Sequence, residues 1–369
     1  MKAQDTKVMV GMSGGVDSSV AAWTLIEQGY EVTGLFMKNW DEDDGTDYCT
    51  AIADLEDAES VCNTLGIKLE VANFAAEYWD DVFKHFLSGY RSGQTPNPDV
   101  LCNREIKFKQ FADYAQHLGA DCIATGHYAI GRKGKTGFEL HKAHDGNKDQ
   151  TYFLQAVPQS RLANCLFPLG DKDKSQVREE AARLGFINHD KKDSTGICFI
   201  GERRFKDFLK QYVALNPGEI RDQSGKVRGA HDGLAYYTLG QREGLGIGGQ
   251  KDSPELPWYV IDKNLETNEL VVSQDTSLLN SNWLITEDIN WLAQPAEFPL
   301  RCQAKVRYRQ PDQECVVSLL ANQGALENGQ EKYTVEFAQP QRAVTPGQYV
   351  CFYSDTLCLG GGLITGYGV

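Results

Sequence analysis

The segment SGGVDS at residues 13–18 contains the residue types of a phosphate-binding loop. It lies between an apolar run at 7–12, predicted to be a strand, and a helical pattern at about 18–28. Two adjacent glycines let backbone amides approach an anion closely, and a helix N-terminus adds its positive dipole. The sequence therefore predicts phosphate binding, although the GKS or GKT ending of the ATPase P-loop is missing. The alternative is a tight turn in which Asp or Ser caps the helix.

Cys102, in the segment NPDVLCNREIKF at 97–108, is a second candidate for chemistry. Asn103 is predicted to cap the helix that follows, which would leave Cys102 just ahead of a helix N-terminus. Arg104 and Lys107 are close in sequence, and nearby cations favour a thiolate over a thiol. Cys102 is therefore a candidate nucleophile or reducing thiol, with buried packing as the alternative.

Cys198, in the segment DSTGICFI at 193–200, suits either a core cysteine or a thiol on a loop beside an active site. The chain has ten cysteines and no CxxC pair. This argues against a paired-thiolate metal site and against a disulfide scaffold. His85, His117 and His141 lack ligand-like spacing, so no transition metal is predicted.

The elements that must position these residues divide the chain into three parts. In the first 130 residues, short apolar runs alternate with amphipathic stretches, which predicts a doubly wound parallel α/β sheet. Beyond about residue 220 the pattern changes to short strands, and the last 90 residues resemble a small β-barrel. We predict a catalytic domain at 1–205, a small central linking domain at 206–280 and a barrel domain at 281–369.

The net charge of −14 is unfavourable for binding nucleic acid. However, nine carboxylates lie within residues 41–59, which contain no Lys or Arg, so the remainder is much closer to neutral. Basic residues cluster at 104–109, 203–210 and 301–309, and an RNA-binding surface is therefore allowed. The acidic run predicts a solvated helix face, or alternatively a docking patch for a basic partner protein. The chain has no apolar run long enough for a membrane helix and no signal-peptide core, so a cytoplasmic location is expected.

The glycine loop resembles the pyrophosphate loop of the N-type ATP pyrophosphatases, which split ATP between its α and β phosphates and adenylate a substrate oxygen. Together with NPDVLCN and GICFI, it makes the chain similar to the bacterial-type tRNA 2-thiouridylases, which place sulfur on C2 of the wobble uridine, position 34, of certain tRNAs. The resemblance extends through further segments: GHYA at 126–129, KDQTYFL at 148–154, YTLGQREGLGIGG at 237–249, RYRQ at 307–310 and VTPGQ at 344–348.

This resemblance implies an ATP- and Mg²⁺-dependent tRNA sulfurtransferase with an adenine nucleotide alpha hydrolase-like catalytic domain. Cys198 would receive a persulfide from a sulfur-relay protein or a cysteine desulfurase. Cys102 would attack that persulfide or resolve the intermediate, leaving a disulfide between the two cysteines. Asp99 would act as an acid or base at the uracil ring, with a simple turn aspartate as the alternative.

The resemblance also implies two sets of binding residues. The ATP-binding set, with Asp17 near the metal and Ser19 as a further phosphate contact, is Gly11, Met12, Ser13, Gly14, Gly15, Val16, Asp17, Ser18, Met37 and Gly126. The tRNA-binding set is Asn97, Pro98, Asp99, His127, Lys148, Asp149, Gln150, Arg307, Tyr308 and Gln348. For RYRQ, a solvated strand face is an equally weighted alternative.

Two other functions remain open. One is a small-molecule amidotransferase or synthetase that uses an adenylated intermediate and needs no paired thiols. The other is a non-catalytic RNA-binding protein in which the glycine loop is only architectural.

Overall fold

The computed structural model describes residues 5–41, 51–135, 137–192, 205–248, 256–295, 297–320 and 331–369. Cys198 and the rest of its segment lie outside the described residues.

The described strands number seventeen: β1 (Lys7–Gly11), β2 (Glu31–Lys38), β3 (Leu69–Asn73), β4 (Cys122–Ala124), β5 (Ala129–Lys133), β6 (Phe138–Lys142), β7 (Cys165–Leu166), β8 (Gly218–Asp222), β9 (Val227–His231), β10 (Tyr259–Asn264), β11 (Glu269–Ser273), β12 (Asn280–Trp291), β13 (Leu300–Lys305), β14 (Gln313–Leu319), β15 (Lys332–Arg342), β16 (Tyr349–Ser354) and β17 (Leu357–Gly368). The described α-helices are α1 (Val16–Glu27), α2 (Ala51–Leu65), α3 (Ala75–Tyr78), α4 (Lys84–Arg91), α5 (Pro98–Leu101), α6 (Phe111–His117), α7 (Thr151–Leu154), α8 (Gln159–Leu162), α9 (Lys174–Arg183) and α10 (Phe205–Leu209). Two π-helical segments, Trp79–Phe83 and Cys102–Gln110, join α3 to α4 and α5 to α6, and short 3₁₀ helices lie at Leu234–Tyr236 and Thr276–Leu279.

The first unit is a parallel sheet with the strand order β3-β2-β1-β4-β7. The central strand β1 is a short apolar run, and its Val8, Met9 and Val10 are all less than 5% exposed. A strand buried in this way must be covered on both faces, which is the arrangement of a parallel sheet between helices. The prediction of a doubly wound α/β domain is confirmed.

The helix that carries Cys102 begins earlier than predicted. The side chain of Asn97 accepts hydrogen bonds from the backbone amides of Asp99 (3.2 Å) and Val100 (3.4 Å), so Asn97 is the N-cap. Pro98 at the first helical position suits this start, because it has no amide to satisfy. The predicted cap at Asn103 is wrong, and Cys102 lies inside a helical run that extends over residues 98–117.

A second, smaller sheet lies between the first unit and the barrel in sequence. Its order is β10-β11-β8-β9, with β8 parallel to β11 and the other pairs antiparallel.

The C-terminal strands close into a barrel, as predicted. The order is β12-β15-β14-β13-β16-β17, and β12 pairs again with β17 to complete the ring. The hairpin β5–β6 belongs to the first unit in sequence but extends this sheet, through pairing of Leu357 with His141. Strand β13 ends at Lys305, and RYRQ at 307–310 occupies the turn that follows, where Arg309 has a φ of 62°.

Within the ranges described, no helix combines the length and the apolar character needed to cross a bilayer.

The hairpin is held against the barrel by Lys142. Its ammonium pairs with Asp312, donates to the carbonyl of Asp355 (2.9 Å) and lies 4.2 Å from the centre of the Tyr353 ring. The Lys142 side chain is only 15% exposed, so water replaces these contacts poorly.

We expect Lys142→Met to lower the free energy of unfolding of the barrel transition by about 2 kcal/mol, because it leaves partly buried acceptors without their donor. Urea denaturation followed by tryptophan fluorescence measures this change. Lys133→Met, at an exposed position of the same hairpin, is the matched control and should shift stability by less than about 0.5 kcal/mol. Equal effects of the two substitutions on stability would contradict the conclusion that Lys142 holds the hairpin against the barrel.

Candidate active site

The glycine loop leads from β1 directly into the first turn of α1. Ser18 shapes it, since its hydroxyl accepts from the Ser13 amide (3.2 Å) and donates to the Gly15 carbonyl (3.0 Å). Ser19 donates to the same carbonyl at 3.0 Å. Gly15 is the N-cap of α1, and no side chain caps this helix. The first-turn amides are therefore directed at the loop, as anion binding requires.

Two glycines in this region are required by close packing. Gly14 has a φ of +72°, and a Cβ at this position would lie 2.2 Å from the carbonyl oxygen of Asp54. A Cβ on Gly126 would lie 2.8 Å from the backbone of Asp17 and Ser18. The end of β4 thus rests directly on the first turn of α1.

The loop has neighbours that sequence reasoning missed. Both carboxylate oxygens of Asp17 lie 2.8 Å from the ammonium of Lys174, and Tyr128 donates its hydroxyl to the same carboxylate at 2.8 Å. Asn188 donates to the Gly14 carbonyl (2.9 Å). These partners are more than 100 residues away, so no local motif connects them to the loop. The one available signal is the position of Lys174 in the first turn of α9, where the helix dipole disfavours a cation.

Part of the acidic run also reaches the loop. Lys191 donates to Asp54 (2.7 Å), pairs with Asp57 and reaches the Gly14 carbonyl at 3.3 Å. These two carboxylates therefore form an ion-pair network behind the loop, rather than only a solvated helix face.

A magnesium ion that arrives with ATP needs one or two carboxylate ligands from the protein. Asp17 supplies oxygen donors of the right type at the loop, where Lys174 now holds them. Elsewhere in the described chain, no group of three or more His, Cys, Asp or Glu side chains could hold a metal ion.

The loop lies at the switch point of the sheet. From β1 the chain moves to β2 and β3 on one side, and β4 then pairs on the other side of β1. Open α/β sheets bind ligands in the crevice outside the carboxyl ends of such strands. Gly11, at the end of β1, is confined between Met37 and Phe111, since a Cβ would lie 3.3 Å from each of these side chains. Because Phe111 belongs to the 98–117 helix, the helix that carries Cys102 packs against the end of β1, just before the phosphate loop.

Of the candidate catalytic groups on this helix, Cys102 is buried and Asp99 is partly buried. Cys102 is only 2% exposed and belongs to the main hydrophobic core. Burial raises the pKa of Asp99, and the Lys107 ammonium partly opposes this shift. His127 packs its ring 5.9 Å from that of Phe108 and bonds Thr125 at 2.9 Å, and burial lowers its pKa well below the usual range. His127 is therefore neutral at pH 7.

The NPD segment is fixed by the barrel. The Asn97 amide donates to Gln348 (3.4 Å), and Gln348 donates to the Thr95 carbonyl at 2.6 Å. Pro346 accepts from the Thr95 amide at 3.0 Å. The structure thus brings together two segments of the predicted tRNA-binding set that lie about 250 residues apart.

The KDQ segment is partly engaged inside the protein. Asp149 is 5% exposed and accepts hydrogen bonds from Thr151 and from the Ala143 amide. The Gln150 side chain accepts from the Tyr128 amide at 2.9 Å. These bonds position the segment, and contact of either side chain with tRNA stays a prediction.

The RYRQ turn of the barrel lies against α7, which follows the KDQ segment. The ring centre of Tyr308 is 4.6 Å from that of Phe153, and the Arg309 guanidinium lies 5.2 Å from the Tyr308 ring. Arg307 donates to the Arg342 carbonyl at 2.7 Å. Residues from the catalytic and barrel domains thus form one continuous face.

The comparisons with known proteins agree with this geometry. Residues 6–202 match the family described as a tRNA methyl transferase HUP domain, residues 206–274 a tRNA methyl transferase PRC-barrel domain, and residues 281–364 an aminomethyltransferase beta-barrel domain. The parallel sheet and its glycine loop therefore define a HUP-type α/β protein, with two β domains after it.

The similar proteins identify the family more narrowly than the domain matches do. The chain is 58% identical to tRNA-specific 2-thiouridylase MnmA of Pseudomonas fluorescens (strain Pf0-1), over 97% of this chain and 94% of the relative. It is 59% identical to the protein of the same name from Alcanivorax borkumensis, over 98% of each chain. The chain belongs to the tRNA-specific 2-thiouridylase family. A solved 4-thiouridine synthetase–RNA complex with bound ATP is similar at 15% identity and a TM-score of 0.34, over 56% of this chain and 50% of that chain.

We expect Gly14→Ala to weaken ATP binding at least about tenfold, because a Cβ cannot fit against Asp54 without displacing the loop. Isothermal titration calorimetry with ATP and Mg²⁺ measures the affinity. Gly66→Ala is the matched control, since Gly66 has a similar φ of +68° but a Cβ added there would meet no atom within 4 Å. Gly66→Ala should lower the free energy of unfolding by about 1 kcal/mol and leave the ATP affinity unchanged. A folded Gly14→Ala protein with normal ATP affinity would argue against the loop as the phosphate site.

Proposed function

We propose that this protein is an ATP-dependent tRNA 2-thiouridylase, which replaces O2 of the wobble uridine at position 34 with sulfur. The observation that carries the proposal is the close approach of Gly11, the last residue of β1 before the phosphate loop, to Phe111 of the helix that carries Cys102, at the carboxyl edge of the sheet. Membership of the 2-thiouridylase family supports the choice of tRNA and of C2.

The first step is activation of the uridine oxygen, which is a poor leaving group. The loop amides and the N-terminus of α1 bind the phosphates of ATP, with Lys174 as an additional cation at the loop. O2 attacks the α-phosphorus, pyrophosphate leaves, and the O–AMP group becomes the leaving group. Magnesium, with Asp17 as its ligand, would neutralise phosphate charge.

Asp99 acts as the base in this step. Removal of the N3 proton of the uracil increases the nucleophilicity of O2, and a carboxylate whose pKa is raised by burial is a stronger base than an exposed one. The activity should therefore increase as the pH rises through the raised pKa of Asp99.

The second step transfers sulfur. A donor protein, either a sulfur-relay protein or a cysteine desulfurase, loads Cys198 as a persulfide. The Cys102 thiolate attacks the inner sulfur, so that a Cys102–Cys198 disulfide forms and hydrosulfide is released. Hydrosulfide adds to C2, AMP leaves with the original oxygen, and an external dithiol reduces the disulfide. Direct attack of the persulfide on C2 would use the same two cysteines.

The tRNA lies across the face shared by the catalytic and barrel domains. Lys148 and Arg307 suit phosphate contacts, Tyr308 suits stacking, and Asn97 with Pro98 borders the pocket of the target base. The wobble base is already in a single-stranded loop, so its insertion into the pocket costs only a few kcal/mol.

Substitution of either cysteine by serine should abolish thiolation, with a loss of at least about 10³-fold, because a hydroxyl neither carries nor reduces a persulfide. The assay combines tRNA, ATP, Mg²⁺ and a cysteine desulfurase with cysteine as the persulfide source, and mass spectrometry of digested tRNA detects 2-thiouridine. ATP-dependent release of pyrophosphate should persist in both variants.

Cys62→Ser is the matched control, since this thiol is also 2% exposed but lies in the core on the other side of the sheet. Full activity of the Cys102 and Cys198 variants would favour the amidotransferase or synthetase alternative. Binding of tRNA without any release of pyrophosphate or AMP would favour the non-catalytic alternative, and sulfur at C4 would identify a different class of thiolase.

Asp99→Asn should reduce the rate of thiolation by about 10² to 10⁴, the range for loss of a general base. A single-turnover measurement at saturating ATP and tRNA gives this rate. Asp113→Asn, an exposed carboxylate of the same helical run, serves as the control and should stay within about twofold of wild type. If Asp99→Asn retained the wild-type rate, Asp99 would not be the base, and it would be only an aspartate at the start of a helix.

A further inference from the structure

The segment Cys102–Gln110 is π-helical over nine residues. Such helices are rare, most are single turns, and they occur frequently at functional sites. The segment follows Asp99 directly and contains Cys102 as its first residue.

The π winding changes which side chains share a face with Cys102. In an α-helix, the neighbours one turn along are i+3 and i+4, and i+5 points away. In a π-helix the backbone bonds run from i to i+5, so residue i+5 joins the same face. For Cys102 that residue is Lys107.

The electrostatics agree with this placement. Burial raises the pKa of Asp99 and lowers that of His127. The Lys107 ammonium opposes the first shift and adds to the second, so its charge reaches both groups. Arg104 and Lys109, the other cations of the segment, both pair with Glu105, at 2.7 and 2.8 Å. The charge of Lys107 therefore acts on two groups of the candidate site.

A buried thiol needs a nearby positive charge in order to ionise at neutral pH. Cys62 and Cys122 are buried thiols, and desolvation raises the pKa of each to about 11. A thiol in that state is almost fully protonated at neutral pH and reacts slowly. Cys102 is as buried as Cys62, at 2% exposure, but it shares a helix face with an ammonium.

We propose that Lys107 stabilises the Cys102 sulfur as a thiolate, the form that attacks the persulfide. The thiol proton passes to solvent water, and the ammonium remains charged throughout. This inference rests on the proposed function, since it takes Cys102 to be the attacking thiol.

The test is the pH dependence of Cys102 alkylation by iodoacetamide, in the full chain and without tRNA or ATP. Mass spectrometry of peptides resolves Cys102 from Cys62, which is the internal reference. In Lys107→Met, the midpoint of alkylation should shift upward by about one pH unit or more, and the rate at pH 7 should fall about tenfold. Lys107→Arg keeps the charge and should stay within about threefold of wild type. Lys109→Met, two residues further along and paired with Glu105, is the matched control and should leave the profile unchanged.

A single-turnover thiolation assay provides the second readout. Lys107→Met should slow sulfur transfer about tenfold at pH 7 and recover at higher pH, while pyrophosphate release and the Kd for tRNA stay within about twofold. A merely structural role would not give alkaline recovery.

Two results would overturn the inference. One is an unchanged Cys102 alkylation profile in a folded Lys107→Met protein, and the other is a tenfold weaker Kd for tRNA with normal thiol reactivity, which would make Lys107 a phosphate contact. Because alkylation needs neither substrate, a wild-type protein that forms no thiouridine would refute the proposed function without deciding the role of Lys107.

Discussion

The close contact between Gly126 and the first turn of α1 is the constraint on which the site depends. With no room for a Cβ at this position, the end of β4 lies directly against the backbone of Asp17 and Ser18. The contact lies at the carboxyl ends of β1 and β4, where the strand order reverses. The next residue, His127, packs against Phe108 of the helix that carries Cys102. Two consecutive residues therefore connect the first turn of α1 to that helix.

Local patterns were sufficient to predict the sheet, the glycine loop and the barrel. The apolar run at 7–12 becomes β1, and the helical pattern at about 18–28 becomes α1, within about two residues of the expected bounds. Two features of the site were not predictable in this way. The helix start at Asn97 and the π winding after Leu101 depend on a choice between competing caps and hydrogen-bond registers, which the composition of the segment does not decide. The contacts of Lys174 and Asn188 with the loop are tertiary, and no spacing rule relates residues so far apart.

The joint between the catalytic domain and the barrel explains why the predicted tRNA-binding residues are distributed over the whole chain. The hairpin β5–β6 leaves the first unit and extends the barrel sheet, so the two domains share hydrogen bonds as well as side-chain packing. Thr151 bonds Tyr353 at 3.1 Å across this joint, and Tyr152 donates to the Tyr349 carbonyl at 3.0 Å. Segments that are distant in sequence thus form one face, and the strongly negative net charge of the chain says little about that face.

Burial has opposite effects on the ionisable groups of the candidate site. It raises the pKa of the Asp99 carboxyl, which makes the group a better base, and lowers that of His127, which keeps the imidazole uncharged. For a thiol the same burial suppresses the reactive thiolate, as at Cys62. The adenylated base and the persulfide of the proposed reaction are both sensitive to water, so that reaction would gain from a covered site. A covered site can retain a reactive thiolate only if the fold places a fixed positive charge beside it, and the π winding after Leu101 brings Lys107 to that side of the helix.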